Sequence, residues 1–342
     1  MSTKKYITIR DVAQMAAVSP GTVSRAINGS PLVNAVTRRQ VLEVVERLQY
    51  VPNPIAQRLS TRKTLAIGLI VPFLTRPAVS ERLYGAVQVL ARSPYDLVIQ
   101  NIELPEQREA CLRDLLRRQR VDGVIVLSLP LFAEDVAQLG SADVPIVLID
   151  TSHPQLPHIH SVTVDDVVGG SAAAGHLLQL GHTRIAFLGD RVDDRMGFVS
   201  SHSRYAGYRN ALRAAGVALR PEYYSEDVHG RHPARAQALK LLQLPDPPTA
   251  IFAASDTQAV GVLEAAREMG LRVPQDLSVI GYDDVEMADI LLLTTIRQRL
   301  ADSGRIGVQL LLDAIQKPDL PPVHQVLPTE LVVRETTAPP AP

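Results

Sequence analysis

The sequence predicts a small all-α head followed by an α/β body of two doubly wound, parallel-sheet lobes. Residues 1–63 show short helical patterns only, whereas short apolar runs alternate with helical stretches from Leu65 onward. The length of 342 residues exceeds one compact domain. Charge divides at the same place: residues 1–63 have ten basic and three acidic residues (net +7), and the remainder has 25 and 33 (net −8). The head therefore suits a polyanion better than the body does, although a solvated charged face would look the same.

Three helix starts are visible in the head. Thr8 with Asp11 three residues later resembles a capping box, and Ser19 before Pro20 is a typical helix start. Asn34 is a candidate cap for a third helix with an apolar stripe. The first two helices are joined by a short turn, which predicts a helix-turn-helix unit in a three-helix head.

The second helix, in VSPGTVSRAING, has a polar outer face. Such a face can bond phosphates and base edges in a DNA major groove, with Arg25 best suited to guanine. Its first turn has Pro20 and Gly21, which lack hydrogen-bonding side chains, so close backbone approach is expected there. The candidate DNA-binding residues of the head are Thr8, Ser19, Pro20, Gly21, Thr22, Ser24, Arg25 and Asn28.

The body contains strand candidates separated by helical stretches. The runs are LAIGLIV, YDLVIQN, DGVIVLS, VPIVLID, RIAFLGD, TAIFAAS and LSVIGYDD. Near-continuous apolar strands of this kind predict parallel sheets covered on both faces, and ligands bind such sheets beyond the carboxyl ends of the strands. Phe73, Asp150, Asp256 and Asp283 stand at those ends.

Several classes of protein are disfavoured. A single cysteine, Cys111, allows neither an internal disulfide nor a cysteine-based zinc site and suits a reducing cytoplasm. No secretory signal or membrane span is expected. Nucleotide-binding, zinc-protease and serine-hydrolase motifs are missing, and the pairs His158/His160 and His229/His232 read as loop histidines. We therefore expect no catalytic residues, no metal and no cofactor.

The residues also match a known family. TIRDVAQMAAVSPGTVSRAING and the following VNAVTRRQVLEVVERLQYVPNPIAQRLSTRKTLAIGLIVP resemble the opening of the lactose-repressor and galactose-repressor family of bacterial transcription regulators. The similarity continues to LPTELVVRETTAPP near the C-terminus. It implies a cytoplasmic homodimer, nucleoid-associated when bound to DNA, that binds a near-palindromic operator as a repressor. The body then resembles the periplasmic sugar-binding fold.

The resemblance implies a hinge helix over NPIAQRLS, residues 53–60, in which Asn53 can cap and Pro54 can take the first turn. Eight residues are too few for a stable isolated helix, so the hinge should order only when held. In the family, paired hinge helices enter the minor groove and a leucine wedges between base pairs. The corresponding candidates are Asn53, Ala56 and Leu59, with a core-facing leucine as the alternative for Leu59.

Carried over by motif, the effector-binding candidates are Phe73, Arg76, Asp150, Phe198, Arg204, Ser255, Asp256 and Asp283. Arginine and aspartate can share the hydroxyls of a polyol, which favours a sugar or sugar derivative. Structural ion pairing is the alternative for Arg204 and Asp283, and helix capping is the alternative for Asp256. The chain lacks Trp, and it has Arg76 where many members of the family begin an Asn-Pro-Phe-Phe segment. Arg76 could favour an acidic or phosphorylated ligand, and a solvated arginine is the alternative.

The implied domains are residues 1–50 (head), 51–63 (hinge), 64–163 with 294–322 (first lobe), 164–293 with 323–337 (second lobe) and 338–342 (tail). The three crossings between lobes are expected near residues 162–165, 290–295 and 321–327. Two alternatives remain at this stage. A regulator of the same DNA-binding type could be controlled by a protein partner, and a sugar-binding transport protein would share the body but not the basic head.

Overall fold

The computed structural model describes residues 7–50, 63–117, 120–191, 196 and 198–341. The chain separates into two compact units, one ending at Leu65 and the other beginning at Ala66. The expected hinge helix, with Asn53, Ala56 and Leu59, lies outside the described residues. Within the described ranges, no helix has the length and apolar character needed to cross a bilayer.

The head contains the three expected helices, α1 (Ile9–Met15), α2 (Pro20–Ile27) and α3 (Ala35–Arg47). Their apolar stripes meet in one small core, so each helix buries only one face. The buried members of this core are Val12, Ala13, Ala16, Val23, Ala26, Val33, Val41 and Val44.

The predicted helix starts are confirmed. The Thr8 N–H and hydroxyl both donate to Asp11 Oδ2 at 2.7 Å, which is the acid half of a capping box. Ser19 Oγ accepts from the Thr22 N–H at 3.1 Å at the start of α2. Asn34 Oδ1 accepts from the N–H three residues on at 2.8 Å at the start of α3. These bonds satisfy N–H groups that a helix leaves unpaired, which fixes where each helix begins.

The body alternates strands and helices as predicted. In chain order its elements are β1 (Ala66–Pro72), α4 (Pro77–Leu90), β2 (Asp96–Ile102), α5 (Arg108–Leu115), β3 (Gly123–Leu127), α6 (Ala133–Gly140), β4 (Ile146–Ile149), β5 (His160–Val164), α7 (Asp166–Gln179), β6 (Ile185–Asp190), α8 (Ser200–Ala214), β7 (Tyr224–Asp227), α9 (Arg231–Leu242), β8 (Ala250–Ala253), α10 (Asp256–Glu268), β9 (Ser278–Ile280), α11 (Glu286–Ile290), β10 (Thr295–Arg297), α12 (Leu300–Gln316), β11 (His324–Leu327) and β12 (Glu330–Val332).

The strands of the described residues form two parallel sheets and a small antiparallel pair. The larger sheet has the order β11-β5-β4-β3-β1-β2, and the second has the order β7-β6-β8-β9. Alternate residues of a strand enter different cores: Leu69 packs with α4 and α12, whereas Ile70 packs with Leu112 and Leu115 of α5. Both faces of each sheet are therefore covered, as continuous apolar strands require.

The strand pairing moves two of the three expected lobe crossings. The first crossing follows β5, where it was expected. However, isolated bridges join Thr294 to Ile280 and Arg297 to Asp283, so β10 continues the second sheet next to β9. Strand β11 pairs with β5 in the larger sheet. Strand β12 then pairs with β10. The second and third crossings therefore lie near residues 298–299 and 328–329, a few residues later than 290–295 and 321–327, and the lobe boundaries at 294 and 322 shift with them. These three-to-four-residue strands have partners far away in sequence, so an apolar-run pattern does not reveal them.

Two glycines allow the main helices of the first lobe to touch backbone to backbone. A Cβ built on Gly304 of α12 would overlap the carbonyl of Arg82 on α4, and one on Gly85 would overlap the carbonyl of Ala301. Only glycine permits this approach. The contact fixes α4 against α12 and, with α4, the backbone position of Arg82.

Candidate functional site

In the head, helix α2 leaves its N-terminal turn open to solvent. Pro20, Gly21 and Arg25 are exposed, Thr22 and Ser24 are half-buried, and Val23 and Ala26 hold the opposite face in the core. Among the described residues, only Ser19 Oγ, at 3.8 Å, would contact a Cβ added to Gly21. The turn therefore offers its backbone, with Arg25 exposed beyond it.

The other helices fix the position of α2. Ala17 adopts a left-handed backbone, φ 52°, in the turn between α1 and α2. Gln40 on α3 donates to the Ala16 carbonyl at 3.1 Å, and Arg38 donates to the Ser30 carbonyl at 2.5 Å. The turns before and after α2 are thus both hydrogen-bonded to α3, which helps to fix the position of α2 in the head. Thr8 and Asn28 are exposed at the ends of α1 and α2.

In the body, a cavity of about 370 Å³ lies between the two lobes beyond the carboxyl ends of both sheets. It brings together six of the eight effector candidates, although they come from distant parts of the chain. Those six are Arg76, Asp150, Phe198, Arg204, Ser255 and Asp283. The cavity also includes polar residues that the sequence did not indicate as effector contacts: Arg82, Ser128, Asp166, Asp190, Gln298 and His229, the last of which was interpreted as a loop histidine.

The first-lobe wall is built around Arg82. Its guanidinium lies 2.7 Å from Asp150 Oδ1, and the Arg82 side chain is nearly fully buried. Ser128 Oγ donates to the other Asp150 oxygen at 2.8 Å. Both oxygens of Asp150 are thus held in place, which orients this carboxylate at the edge of the cavity.

Gln298 connects this wall to the second lobe. Its Oε1 accepts from Arg82 at 3.0 Å, and its Nε2 donates to Asp283 Oδ1. Gln298 is buried and lies at the second lobe crossing. One amide side chain therefore bonds an arginine of the first lobe and a carboxylate of the second.

Arg204 anchors the second-lobe wall. Its Nε donates to Asp166 at 2.9 Å, and its Nη1 donates to the Ala254 carbonyl at 2.5 Å. Nη1 also lies 3.5 Å from Asp283 Oδ1. The guanidinium also stacks 3.8 Å from the centre of the Tyr282 ring. Burial disfavours the charge, but Asp166 and Asp283 outweigh it and raise the pKa of Arg204 above its usual value.

Asp190 and His229 form a second polar group on the same lobe. Asp190 Oδ1 bonds His229 Nδ1 at 3.1 Å and accepts from Gln258 Nε2 at 2.9 Å. Burial opposes ionisation of Asp190, but the bond and charge of His229, together with Arg76 and Arg204, prevail and lower the pKa of this carboxyl. Asp190 is therefore an acceptor-only group for a ligand.

Two candidates lie elsewhere. Asp256 does not line the cavity; it is almost fully buried, accepting from the Thr295 hydroxyl at 2.6 Å and from the Val285 N–H at 3.0 Å. Its expected contact with a ligand is replaced by a structural role behind the wall, while Ser255 both lines the cavity and caps α10 through the Gln258 N–H. Phe73 lines a neighbouring cavity instead.

Asp256 and Asp283 are both buried, and burial raises the pKa of each carboxyl group. Burial, together with the charge of Asp283, raises the pKa of Asp256. Burial also raises the pKa of Asp283, against the opposing effect of Arg204 and Arg82. The interaction of two buried carboxyl groups thus favours a proton on the pair.

The residues that follow the strands have an uncommon backbone. Phe73, Ser128, Asp150 and Asp283, after β1, β3, β4 and β9, have φ of 47°, 52°, 60° and 115°. Non-glycine residues adopt positive φ rarely and at a cost, and such residues cluster at functional sites. Three of these four residues, Ser128, Asp150 and Asp283, line the cavity between the lobes.

Some of the missed residues left a signal and others did not. Arg82 follows the buried Val79 by three positions and precedes the buried Ala86 by four, so it interrupts the apolar stripe of α4. Gln298 and His229 lie in short connections without any pattern. Among the described residues, no three His, Cys, Asp or Glu side chains converge as a metal ion would require.

Models of known protein families match both the head and the body. The model of bacterial regulatory proteins of the lacI family matches residues 8–53, and the model of a periplasmic binding protein-like domain matches residues 174–337. Catabolite control protein A of Priestia megaterium is 32% identical over 97% of this chain and 99% of its own length. The repressor CytR of Escherichia coli K12 is 31% identical over 96% of each chain.

Solved structures give the same answer. The lac repressor dimer bound to operator and the anti-inducer ONPF is 31% identical and covers 98% of this chain and 100% of its own, with a TM-score of 0.85. The complex of the transcriptional regulator CelR with cellobiose is 32% identical over 96% of this chain and 99% of its own, with a TM-score of 0.71. Since these similarities run through head and body alike, the chain belongs to the lacI family of bacterial regulatory proteins.

Proposed function

We propose that the protein is a transcriptional repressor that binds a near-palindromic operator as a homodimer and responds to a sugar or sugar derivative in the interlobe cavity. The observation that carries DNA binding is the open first turn of α2, with Arg25 exposed beyond it, on a head of net charge +7. Residues 1–50 act as the DNA-binding domain, 51–63 as the hinge and the remainder as the sensor. Dimerisation follows from the two-fold symmetry of such DNA sites.

Direct readout is concentrated at Arg25 in this proposal. Pro20 and Gly21 allow close approach of the backbone, while Thr8, Ser19, Thr22, Ser24 and Asn28 supply phosphate contacts that position the helix. Asn53, Ala56 and Leu59 of the hinge add shape-dependent selectivity by bending the DNA.

The sensor proposal rests on the polar lining of the cavity. Guanidinium and carboxylate groups both line it, and together they can donate to and accept from the hydroxyls of a polyol. Relatives with this fold include a regulator bound to cellobiose and one from Enterococcus faecium bound to ribose. Binding here shifts the DNA affinity without turnover, and the protein works in the cytoplasm as a regulator rather than an enzyme.

The test of DNA binding is selection of bound sequences from a random pool, followed by Arg25→Ala. We expect a two-fold symmetric site and a cost of about 1–3 kcal/mol at one base pair per half-site. A uniform loss across all sequences would mean that Arg25 contacts phosphate. Deletion of residues 1–63 should abolish operator binding, and retained affinity would contradict the head assignment.

The test of the sensor is a thermal-shift screen with sugars and sugar phosphates, repeated as operator binding in their presence. An effector raises the melting temperature of the protein. By linkage, the factor by which the effector changes the affinity for the operator equals the factor by which the operator changes the affinity for the effector. A regulator controlled by a protein partner would show neither effect.

A further inference from the structure

We propose that the effector is a neutral ligand of two linked sugar units, one in the interlobe cavity and the other in an adjoining outer chamber. This rests on the proposed function, since it specifies the ligand of the same site. The outer chamber is a second cavity, of about 430 Å³, reached past Phe73, Arg191, Asp227 and Val228. Its volume and that of the interlobe cavity each fall within the range of roughly 300–1,000 Å³ that ligand pockets occupy.

The two cavities adjoin at a shared gateway. Four residues line both of them: Arg76, Asp190, Phe198 and His229. A ligand that fills only the interlobe cavity would end at these side chains. A ligand of two units would pass between them, with its linkage at the gateway.

One side of the gateway has two aromatic rings next to an arginine side chain. The rings of Phe73 and Phe198 lie 5.9 Å apart at 37°. The Arg76 guanidinium covers them, 4.0 Å from the Phe73 centroid and 5.2 Å from the Phe198 centroid. This platform offers rings and a planar cation against which the C–H face of a sugar can pack.

The other side of the gateway is polar and held in place. Asp190 Oδ1 is fixed by His229 and Gln258 at 3.1 and 2.9 Å. Deeper in the outer chamber, Asp227 Oδ1 lies 3.4 Å from Arg191, and both side chains are about half exposed. These groups provide acceptors and donors for hydroxyls on the edge of a second sugar ring.

The charge balance favours a neutral ligand over a phosphorylated one. The described residues lining the two chambers include no more guanidinium groups than carboxyl groups. They are Arg76, Arg82, Arg191 and Arg204 against Asp150, Asp166, Asp190, Asp227 and Asp283. Three of these arginines already form ion pairs with carboxylates of the site, and Arg76 interacts electrostatically with Asp190. A phosphate would have to break these pairs and face the carboxylates left behind.

The test compares full-length wild type with Val228→Trp, which places a bulky side chain in the outer chamber at a position that is 53% exposed. Val333→Trp is the matched control, because Val333 is 57% exposed and lines neither cavity. Isothermal titration uses cellobiose, maltose, trehalose and lactose, with glucose, galactose and ribose as single units and trehalose 6-phosphate as the charged probe. Thermal melts of both variants establish that they are folded.

We expect at least one disaccharide to bind at least about tenfold more tightly than its component sugar and than trehalose 6-phosphate, a factor that corresponds to about 1.4 kcal/mol. Val228→Trp should remove this advantage, while Val333→Trp should retain it. If single sugars bind as tightly as disaccharides, or if Val228→Trp leaves disaccharide affinity unchanged, the outer chamber is not a subsite and the sugar-responsive function stands. If no saccharide binds although the operator does, both the two-unit ligand and the proposed sugar effector are refuted.

Discussion

Replacement of Arg204 by methionine removes the charge that holds the second-lobe wall together but retains most of the apolar stem. Arg204 is 7% exposed and contacts Asp166, Asp283 and the Ala254 carbonyl. Breaking a buried ion pair by removing one partner typically costs about 3–5 kcal/mol, because it leaves an uncompensated buried charge. Asp283 can take up a proton, since burial already raises its pKa. We therefore expect Arg204→Met to cost about 3 kcal/mol near pH 7, the lower end of that range.

The assay is urea denaturation of the full chain followed by circular dichroism, at several pH values. Arg209→Met is the matched control, because Arg209 lies on the same helix and is exposed, 5.7 Å from the Tyr205 ring centre. A surface change of this kind should stay within about 0.5 kcal/mol.

The pH dependence distinguishes an electrostatic effect from lost packing. Without Arg204, the pKa of Asp283 rises further, so the folded variant binds a proton that the unfolded chain binds only at lower pH. An acid whose pKa is higher in the folded protein stabilises the fold at pH values below its unfolded pKa. This stabilisation is lost as the pH rises through the pKa of the folded protein. The deficit of Arg204→Met should therefore shrink from pH 8 to pH 5. A loss below about 1 kcal/mol, or an equal loss at both pH values, would refute this account of the wall.

Three further substitutions test other parts of the structure. Ser19→Ala removes the cap of α2 and should cost the head about 1 kcal/mol, measured as faster hydrogen exchange of α2 amides; unchanged exchange would mean that the cap is unimportant. Gly304→Ala forces a methyl group against the Arg82 carbonyl and should cost about 1–3 kcal/mol in urea denaturation, whereas Gly175→Ala, with open space around it, should not destabilise; equal effects would contradict the close helix contact. Asp256→Asn tests the buried acid: burial and Asp283 raise its pKa to about 8, so wild-type stability should decline as pH rises from about 4 to 8. The asparagine variant should show a flatter decline, and parallel pH profiles would refute the shift.

The features that the sequence predicted are those set by local chemistry. Caps at Ser19 and Asn34 depend on residues three positions apart, so their geometry follows from the chain itself. Strands β1 to β4 of the large sheet are also visible, because strands such as β1 and β3 are buried throughout and need apolar residues at every position. The edge strand β2 is half-exposed, yet its Val and Ile content still marks it.

The features that the sequence did not predict depend on partners far apart in the chain. Strand β11 pairs with β5 across roughly 160 residues, so neither strand reveals the pairing. Asp256 and Asp283 read alike as acids at strand ends, but only the folded chain directs one into the core and the other into the cavity. Asp150 and Asp283 also have a positive φ, for which non-glycine residues show no sequence pattern.

Gln298 sets a geometric condition on motion between the lobes. Its Oε1 bonds Arg82 of the first lobe and its Nε2 bonds Asp283 of the second, so a lobe motion that separates Arg82 from Asp283 lengthens one of these bonds. Asp150 and Arg204 continue the connection on either side through the ion pairs described above. An intact connection favours one lobe arrangement, and a ligand shifts this preference only if it bonds these groups better in one arrangement than in another. A ligand whose hydroxyls contact both Asp150 and Arg204 meets this condition, because its bonds to the two lobes form together only at one separation.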